Sequence, residues 1–216
     1  MLEVELECIR PDMEIHYTTD GSEPTATSPL YEKIVPVKEA LTLKGAIFAH
    51  GRQMGKTLIL PVRWNLATAK PVLGTNPTEK LLTNGIRGSL KYSDFEWCSW
   101  ADNDSVSFTI DLLKLEMLNT LILGCITNNG MAIHKPASVR VEVSDDNSKF
   151  REAVVQSFTS EEIFREGNFI ENLSLKLGGT QARYVRVTAK GPGVCPASHV
   201  RPGQTSRIFF DEVMLE

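Results

Sequence analysis

Period-two alternation of hydrophobic and polar positions dominates this chain. Residues 2–8 set Leu2, Val4, Leu6 and Cys8 against Glu3, Glu5 and Glu7, the pattern of a strand with one wet and one buried face. In "IHYTTDGSEPTATSPLY" (15–31), Ile15, Tyr17 and Thr19 alternate with His16 and Thr18. Asp20-Gly21 then turns the chain, and Pro24 and Pro29 exclude helix. "LTLKGAIFAHGRQMGKTLILPVRW" (41–64) predicts a hairpin around the glycine-rich turn at Gly51–Gly55. Residues 1–63 therefore read as a small β-domain. Segment 64–79 has two prolines, a glycine and little periodicity, and reads as a linker or a strap.

From residue 80 the strand pattern resumes. "VSFTIDL" (106–112), "LNTLILGCI" (118–126) and "SVRVEVS" (138–144) are short and β-branched, and Val139, Val141 and Val143 face opposite to Arg140 and Glu142. "ARYVRVTAKG" (182–191) and "RIFFDEVMLE" (207–216) add two more strands. Only "TSEEIFREGN" (159–168) suits a short helix, with Thr159 or Ser160 as its cap and Glu161 and Glu162 at its positive end. Many short strands with almost no helix predict an all-β chain in two domains, the second (80–216) a sandwich or jelly roll.

Composition narrows the function classes. The chain has 216 residues, 42% hydrophobic and 23% charged, ordinary for a globular protein. Its net charge of -4 comes from 27 acidic and 23 basic residues without a basic stripe, so nucleic acid is not an expected partner. No apolar run approaches the roughly 20 residues that span a bilayer. The start, "MLEVELEC", lacks the regions of a secretion signal, which leaves two expectations: a cytosolic protein or an internal piece of a longer chain. Cys8, Cys98, Cys125 and Cys195 are scattered. Their spacing predicts packed, reduced thiols and no zinc site.

The opening stretch resembles a known family. The tyrosine strand, T-D-G turn, S-E-P and closing S-P-L-Y of residues 15–31 resemble the signature of the immunoglobulin- or fibronectin-like β-sandwich found C-terminal to the barrel of bacterial β-N-acetylhexosaminidases and chitobiases. The second domain resembles a discoidin-type (coagulation factor C-type) jelly roll, the group that includes family-32 carbohydrate-binding modules. "LLTNGIRGS", Trp97, "FTIDL", "KPASVRVEVSDDNSKF", "RYVRVTAKG" and "IFFDEVMLE" carry that likeness. The order of the two implies the C-terminal region of a family-20 glycoside hydrolase, with its catalytic domain upstream. It also implies a parent protein that is periplasmic, outer-membrane-associated or extracellular.

Catalysis is not expected of this chain itself. The family's catalytic pair is an adjacent Asp-Glu on a (β/α)8 barrel. Asp211-Glu212 lies instead in a terminal strand, and a barrel needs about 250 residues and eight helices. "GRQMGKT" (51–57) imitates a phosphate loop, but its glycine spacing is one residue short and no helix follows.

Sugar binding is the chemistry the resemblance implies. Sugars stack a C–H face on an aromatic ring and hydrogen-bond to Arg, Asn, Asp and His. Discoidin-type modules place such groups in loops at one rim, which here implies Trp100, Asn128, Asn129, His134, His199 and Arg201. Trp97 matches a family tryptophan that packs in the core. The implied ligand is a glycan ending in galactose or an N-acetylhexosamine. A structural calcium is also implied, with Asn84, Ser89 and Glu212 at the matching positions. Asn84 stands where the family has Asp, one charge fewer for an ion that prefers several carboxylates. Two alternatives stand beside the accessory region of a hydrolase: a free-standing carbohydrate-binding or adhesion protein, and a structural spacer without ligand.

Overall fold

Residues 2–10, 12–100 and 105–216 are described by a computed structural model, in which the chain divides after Trp64 into two units. In the first, β1 (Leu2–Val4), β2 (Glu14–Thr18), β3 (Val35–Val37), β4 (Leu41–Ala49), β5 (Arg52–Gln53) and β6 (Leu58–Val62) form two sheets. β1 pairs antiparallel with β3, and β4 is the centre of the other sheet, with β2 on one side and β5 and β6 on the other. Val4, Leu6, Val35, Val37, Leu43 and Val62 form the core between them.

The 15–31 motif is an edge folded back on itself. After β2 the chain turns at Asp20-Gly21, where Gly21 has φ 78° and Asp20 Oδ1 accepts the Ser22 N–H at 3.0 Å. It then returns along β2, where the Tyr31 N–H donates to Ile15 O at 2.8 Å and the Tyr17 N–H to Pro29 O at 3.0 Å. His16 Nδ1 donates to the Ser28 carbonyl at 2.7 Å. Prolines fit this return because each occupies a position whose N–H the pairing does not need.

The second unit contains β7 (Val72–Leu73), β8 (Cys98–Trp100), β9 (Ser105–Asn128), β10 (Ser138–Ser144), β11 (Arg151–Ser157), α1 (Ser160–Ile163), β12 (Asn168–Lys190) and β13 (Ile208–Leu215). Their order is β11-β10-β12-β9-β13-β8, with β7 paired to β9. β9 and β12 are long enough to serve both layers of a jelly roll, pairing from Asn168↔Asn128 to Lys190↔Ser105 with two register shifts. The core is lined by Phe108, Ile110, Leu121, Leu123, Val139, Val141, Val143, Val185, Val187 and Phe210.

The all-β expectation is borne out: a small β-sandwich precedes a discoidin-type jelly roll. Three local expectations change. The two strands read at 106–112 and 118–126 are one element, because Leu113, at φ 69°, lets the ladder bend without ending. The short helix is only Ser160–Ile163, capped by Thr159 in a capping box with Glu162. The strap is partly a strand, since Val72 pairs with Ile110. At its start the Leu66 N–H donates to Leu215 O at 3.1 Å, and Asn65 Oδ1 accepts the Leu215 N–H at 3.1 Å.

Candidate functional site

Two polar loops of the jelly roll meet at one place. The first follows β9: a 3-10 turn over Asn129–Met131 ends at Ala132, which has φ 51°. The second, 191–207, precedes β13. The Arg201 Nε–H donates to Gly130 O, and the His134 N–H donates to Arg207 O at 3.1 Å. A third segment joins them, because Asn129 Oδ1 accepts the Gly167 N–H at 3.0 Å.

Between the loops lies a pocket of about 110 Å³ lined by Asn129, Phe164, Glu166, Pro196, Ser198, His199 and Val200. Phe164 offers a half-buried ring, and Glu166, Ser198 and Arg201 are exposed at its edge. Sequence reasoning missed Phe164 and Glu166. The available signal was an aromatic residue amid charges in "EEIFREGN", which was absorbed into a helix.

The six residues expected to bind sugar are placed unequally. Asn129 and His199 line the pocket, and Arg201 stands beside it, its N–H donating to His199 Nδ1 at 3.0 Å. Asn128 is half-buried, and its backbone pairs with Ile133 on both sides. His134 is 0% exposed and lies behind the pocket wall, its ring 5.0 Å from those of Phe164 and His199. Burial pushes the His134 imidazole down to about 4, with His199 adding to the shift. Trp100 is not at this rim. It lies in the core with its ring stacked on Phe108 at 6.1 Å and tilted against Phe210 at 5.6 Å, because β8 pairs Trp100 with Ile208 and directs it inward. Trp97 is also buried, and its Nε1–H donates to Ser89 O at 3.1 Å.

The residues expected to hold calcium surround a buried acidic cluster. Glu212 Oε2 accepts the Gly85 N–H at 3.0 Å, while Oε1 is buried with no hydrogen-bond partner. Burial, aided by the Asp211 charge, pushes the Glu212 carboxyl up to about 9. Asn84 Nδ2 donates to Glu96 Oε2 at 3.0 Å, and burial also raises Glu96. Asp211 accepts from Arg87 Nε at 2.7 Å and from the Gly88 N–H at 3.0 Å. Ser89 Oγ accepts the Lys91 N–H at 3.1 Å. The unpartnered, buried Glu212 carboxylate oxygen is what a hard cation would satisfy and ionise, with Asn84, Ser89 and Glu212 the residues that would hold it. Asp211 and Glu212 are each 0% exposed, beyond the reach of any substrate.

All four cysteines are unpaired. Among the described residues no helix is long and apolar enough to cross a membrane.

Comparison with known proteins gives two matches in tandem. Residues 2–58 match the family model for the chitobiase/beta-hexosaminidase C-terminal domain, and residues 67–200 match that of the F5/8 type C domain. No curated protein matches the chain. Solved structures similar to it include the Clostridium perfringens module CpGH89CBM32-6, at 18% identity over 71% of this chain and 98% of that one, TM-score 0.47. A Streptococcus pneumoniae fucose binding module is similar at 18% identity over 71% and 97%, TM-score 0.43. The C-terminal domain of a Bacteroides fragilis chitobiase is similar at 16% identity over 63% and 78%, TM-score 0.38.

Proposed function

Because the chain belongs to the F5/8 type C domain family and carries a chitobiase/beta-hexosaminidase C-terminal domain ahead of that module, we propose that it is a non-catalytic accessory region of a secreted β-N-acetylhexosaminidase. In this reading its jelly roll binds the terminal galactose or N-acetylhexosamine of a glycan. The observation that carries the binding role is the rim pocket, where the Phe164 ring and the polar groups of Asn129, Glu166 and Ser198 converge, with the exposed Arg201 beside it. An aromatic face with polar groups around it is what a pyranose requires. A second pocket, of about 240 Å³ in the first unit, is lined by Leu6, Ile15, Ala46, Ile47, Leu58 and the charged Glu5, Glu7 and Lys56 without an aromatic ring, and it suits a sugar less well. The burial of Asp211 and Glu212 supports the non-catalytic role. In the same reading Glu212, with oxygens of Asn84 and Ser89, holds a structural calcium that fixes the start of the jelly roll to its last strand.

A shallow site that leaves much of the sugar wet binds weakly, with Kd about 0.1–1 mM, or roughly -4 to -5.5 kcal/mol. Titration of galactose, N-acetylgalactosamine and N-acetylglucosamine against backbone NMR signals tests this. Shifts at 129–130, 164–167 and 196–201 are expected for one of them. No shift at about 20 mM of any, well above the expected Kd, overturns glycan binding in favour of a structural spacer. Turnover of a chromogenic N-acetylglucosaminide by the chain, abolished in Glu212→Gln, overturns the non-catalytic role.

A further inference from the structure

At the wall of the rim pocket, His199, which lines it, meets His134 and Cys195 in a buried group whose hydrogen bonds are incomplete. His134, Cys195 and His199 come from two loops, and one potential ligand atom from each lies within 4.8 Å of the other two. They are 0%, 3% and 8% exposed. Both ring nitrogens of His134 and Nε2 of His199 are buried without a hydrogen-bond partner. The Ile163 backbone lies near enough to His134 to oppose its shift, yet makes no completed hydrogen bond to either nitrogen. Buried polar atoms are satisfied as a rule, so three unpartnered nitrogens facing one thiol call for a ligand. The spacing of the cysteines predicted no zinc site. The fold brings together groups that the spacing separates, because Cys195 and His199 lie four residues apart in one loop and β9 and its loop deliver His134 from 61 residues upstream.

We propose that His134, Cys195 and His199 form a zinc-binding site that joins the 128–134 and 191–207 loops. One thiolate and two imidazoles, without a carboxylate, suit zinc and not calcium or magnesium. A tetrahedral zinc with bonds of roughly 2.0–2.3 Å sets its ligand atoms about 3.5 Å apart, so the three groups close by about 1 Å on binding. The fourth position takes water. Binding replaces the Cys195 S–H proton with a Zn–S bond and releases that proton to solvent, while each neutral histidine gives one nitrogen lone pair. The turn around Cys195 is already built: its N–H donates to Gln204 O at 2.9 Å, and its carbonyl accepts the Gly203 N–H at 3.0 Å. The Ser206 hydroxyl lies 3.3 Å from Cys195 Sγ, in place to donate to the bound thiolate and orient it.

One structural consequence does not depend on which nitrogen of His199 ligates. Nδ1 now accepts the Arg201 N–H at 3.0 Å. If Nδ1 ligates, its lone pair goes to zinc; if Nε2 ligates, the ring proton moves to Nδ1. In either case the Arg201 N–H loses its acceptor, so zinc repositions the residue whose guanidinium reaches Gly130 across the rim.

Metal-free chain, reduced and in a buffer without chelator, is titrated with Zn²⁺ and separately with Co²⁺. One equivalent of zinc is expected to bind, the Arg201 amide to shift, and Co²⁺ to give a thiolate charge-transfer band with intense tetrahedral ligand-field bands. Cys195→Ser abolishes the charge-transfer band and weakens zinc on the order of 100-fold, and Ser206→Ala weakens it about tenfold. Cys8→Ser, which alters the one partly exposed thiol, leaves the spectrum unchanged. Cys195→Ser is checked by circular dichroism; if it fails to fold, protection of Cys195 from alkylation by one equivalent of zinc in the wild-type chain decides the matter. No stoichiometric zinc, a cobalt spectrum without thiolate character, or a band that survives Cys195→Ser overturns the proposal. None of these readouts involves a sugar, so the zinc site and the glycan reading fail separately.

Discussion

Arg87 Nε donates to Asp211 Oδ2 at 2.7 Å, tying the loop after the Glu79–Thr83 turn to the final strand with an ion pair whose acid is fully buried. Arg87 reaches further to Asn172 Oδ1 at 2.9 Å, so three distant segments meet at one guanidinium. Gly124 lies beneath the pair and has room for no side chain, since a Cβ there would collide with Asp211 and Arg87. Arg87→Met strands a buried carboxylate and is expected to cost about 3 kcal/mol, the usual scale for breaking such a pair from one side. Urea unfolding followed through Trp97 and Trp100 measures it. A loss below about 0.5 kcal/mol would mean that the pair contributes no more than a surface contact.

Glu212 makes stability depend on pH with an unusual sign. Its folded value is raised from 4.5 to about 9, so the folded state holds this proton where the unfolded state has lost it. The contribution is fully present below about 4.5, declines as pH rises, and is gone above about 9, with a slope of at most about 1.4 kcal/mol per pH unit. Calcium is expected to reverse the trend by favouring the ionised carboxyl. Melting curves at pH 6 and 8.5, with and without calcium, check both effects. In Glu212→Gln the metal-free protein should lose its pH slope and all response to calcium.

Trp100→Phe should cost about 1–2 kcal/mol by loosening the stack on Phe108 and the tilted contact with Phe210, and should leave sugar-induced shifts in place. A variant that keeps its fold but loses those shifts would return Trp100 to the binding surface.

Gly21→Ala tests the turn in the first unit. The new methyl meets Thr42 only at an ordinary 3.6 Å, but Gly21 has φ +78°, so the cost is backbone strain of about 1–2 kcal/mol. Thermal unfolding of residues 1–64, followed by hydrogen exchange at Tyr17 and Tyr31, reports it.

The strands were readable because the buried set repeats every second residue: Val139, Val141 and Val143 are all 0% exposed, as their alternation with Arg140 and Glu142 required. Family likeness supplied the rest of the architecture through the 15–31 motif. The site was less legible. Trp100 lies in a three-residue strand too short to show a period, and only its pairing with Ile208 reveals that it points inward. His134 and Cys195 meet because β10, β11 and β12 fold between them, a proximity that no spacing rule carries. Phe164 was hidden by a helix signal that proved real but ended one residue before it.

The hydrogen bonds of Leu66 and Asn65 to Leu215 place the two ends of the jelly roll side by side. Tension along a chain holding this unit would not stretch the module lengthwise. Force applied at Asn65 and Glu216 would fall first on the two hydrogen bonds that Leu215 makes to the strap, and would reach Asp211 and Glu212 only after those had parted.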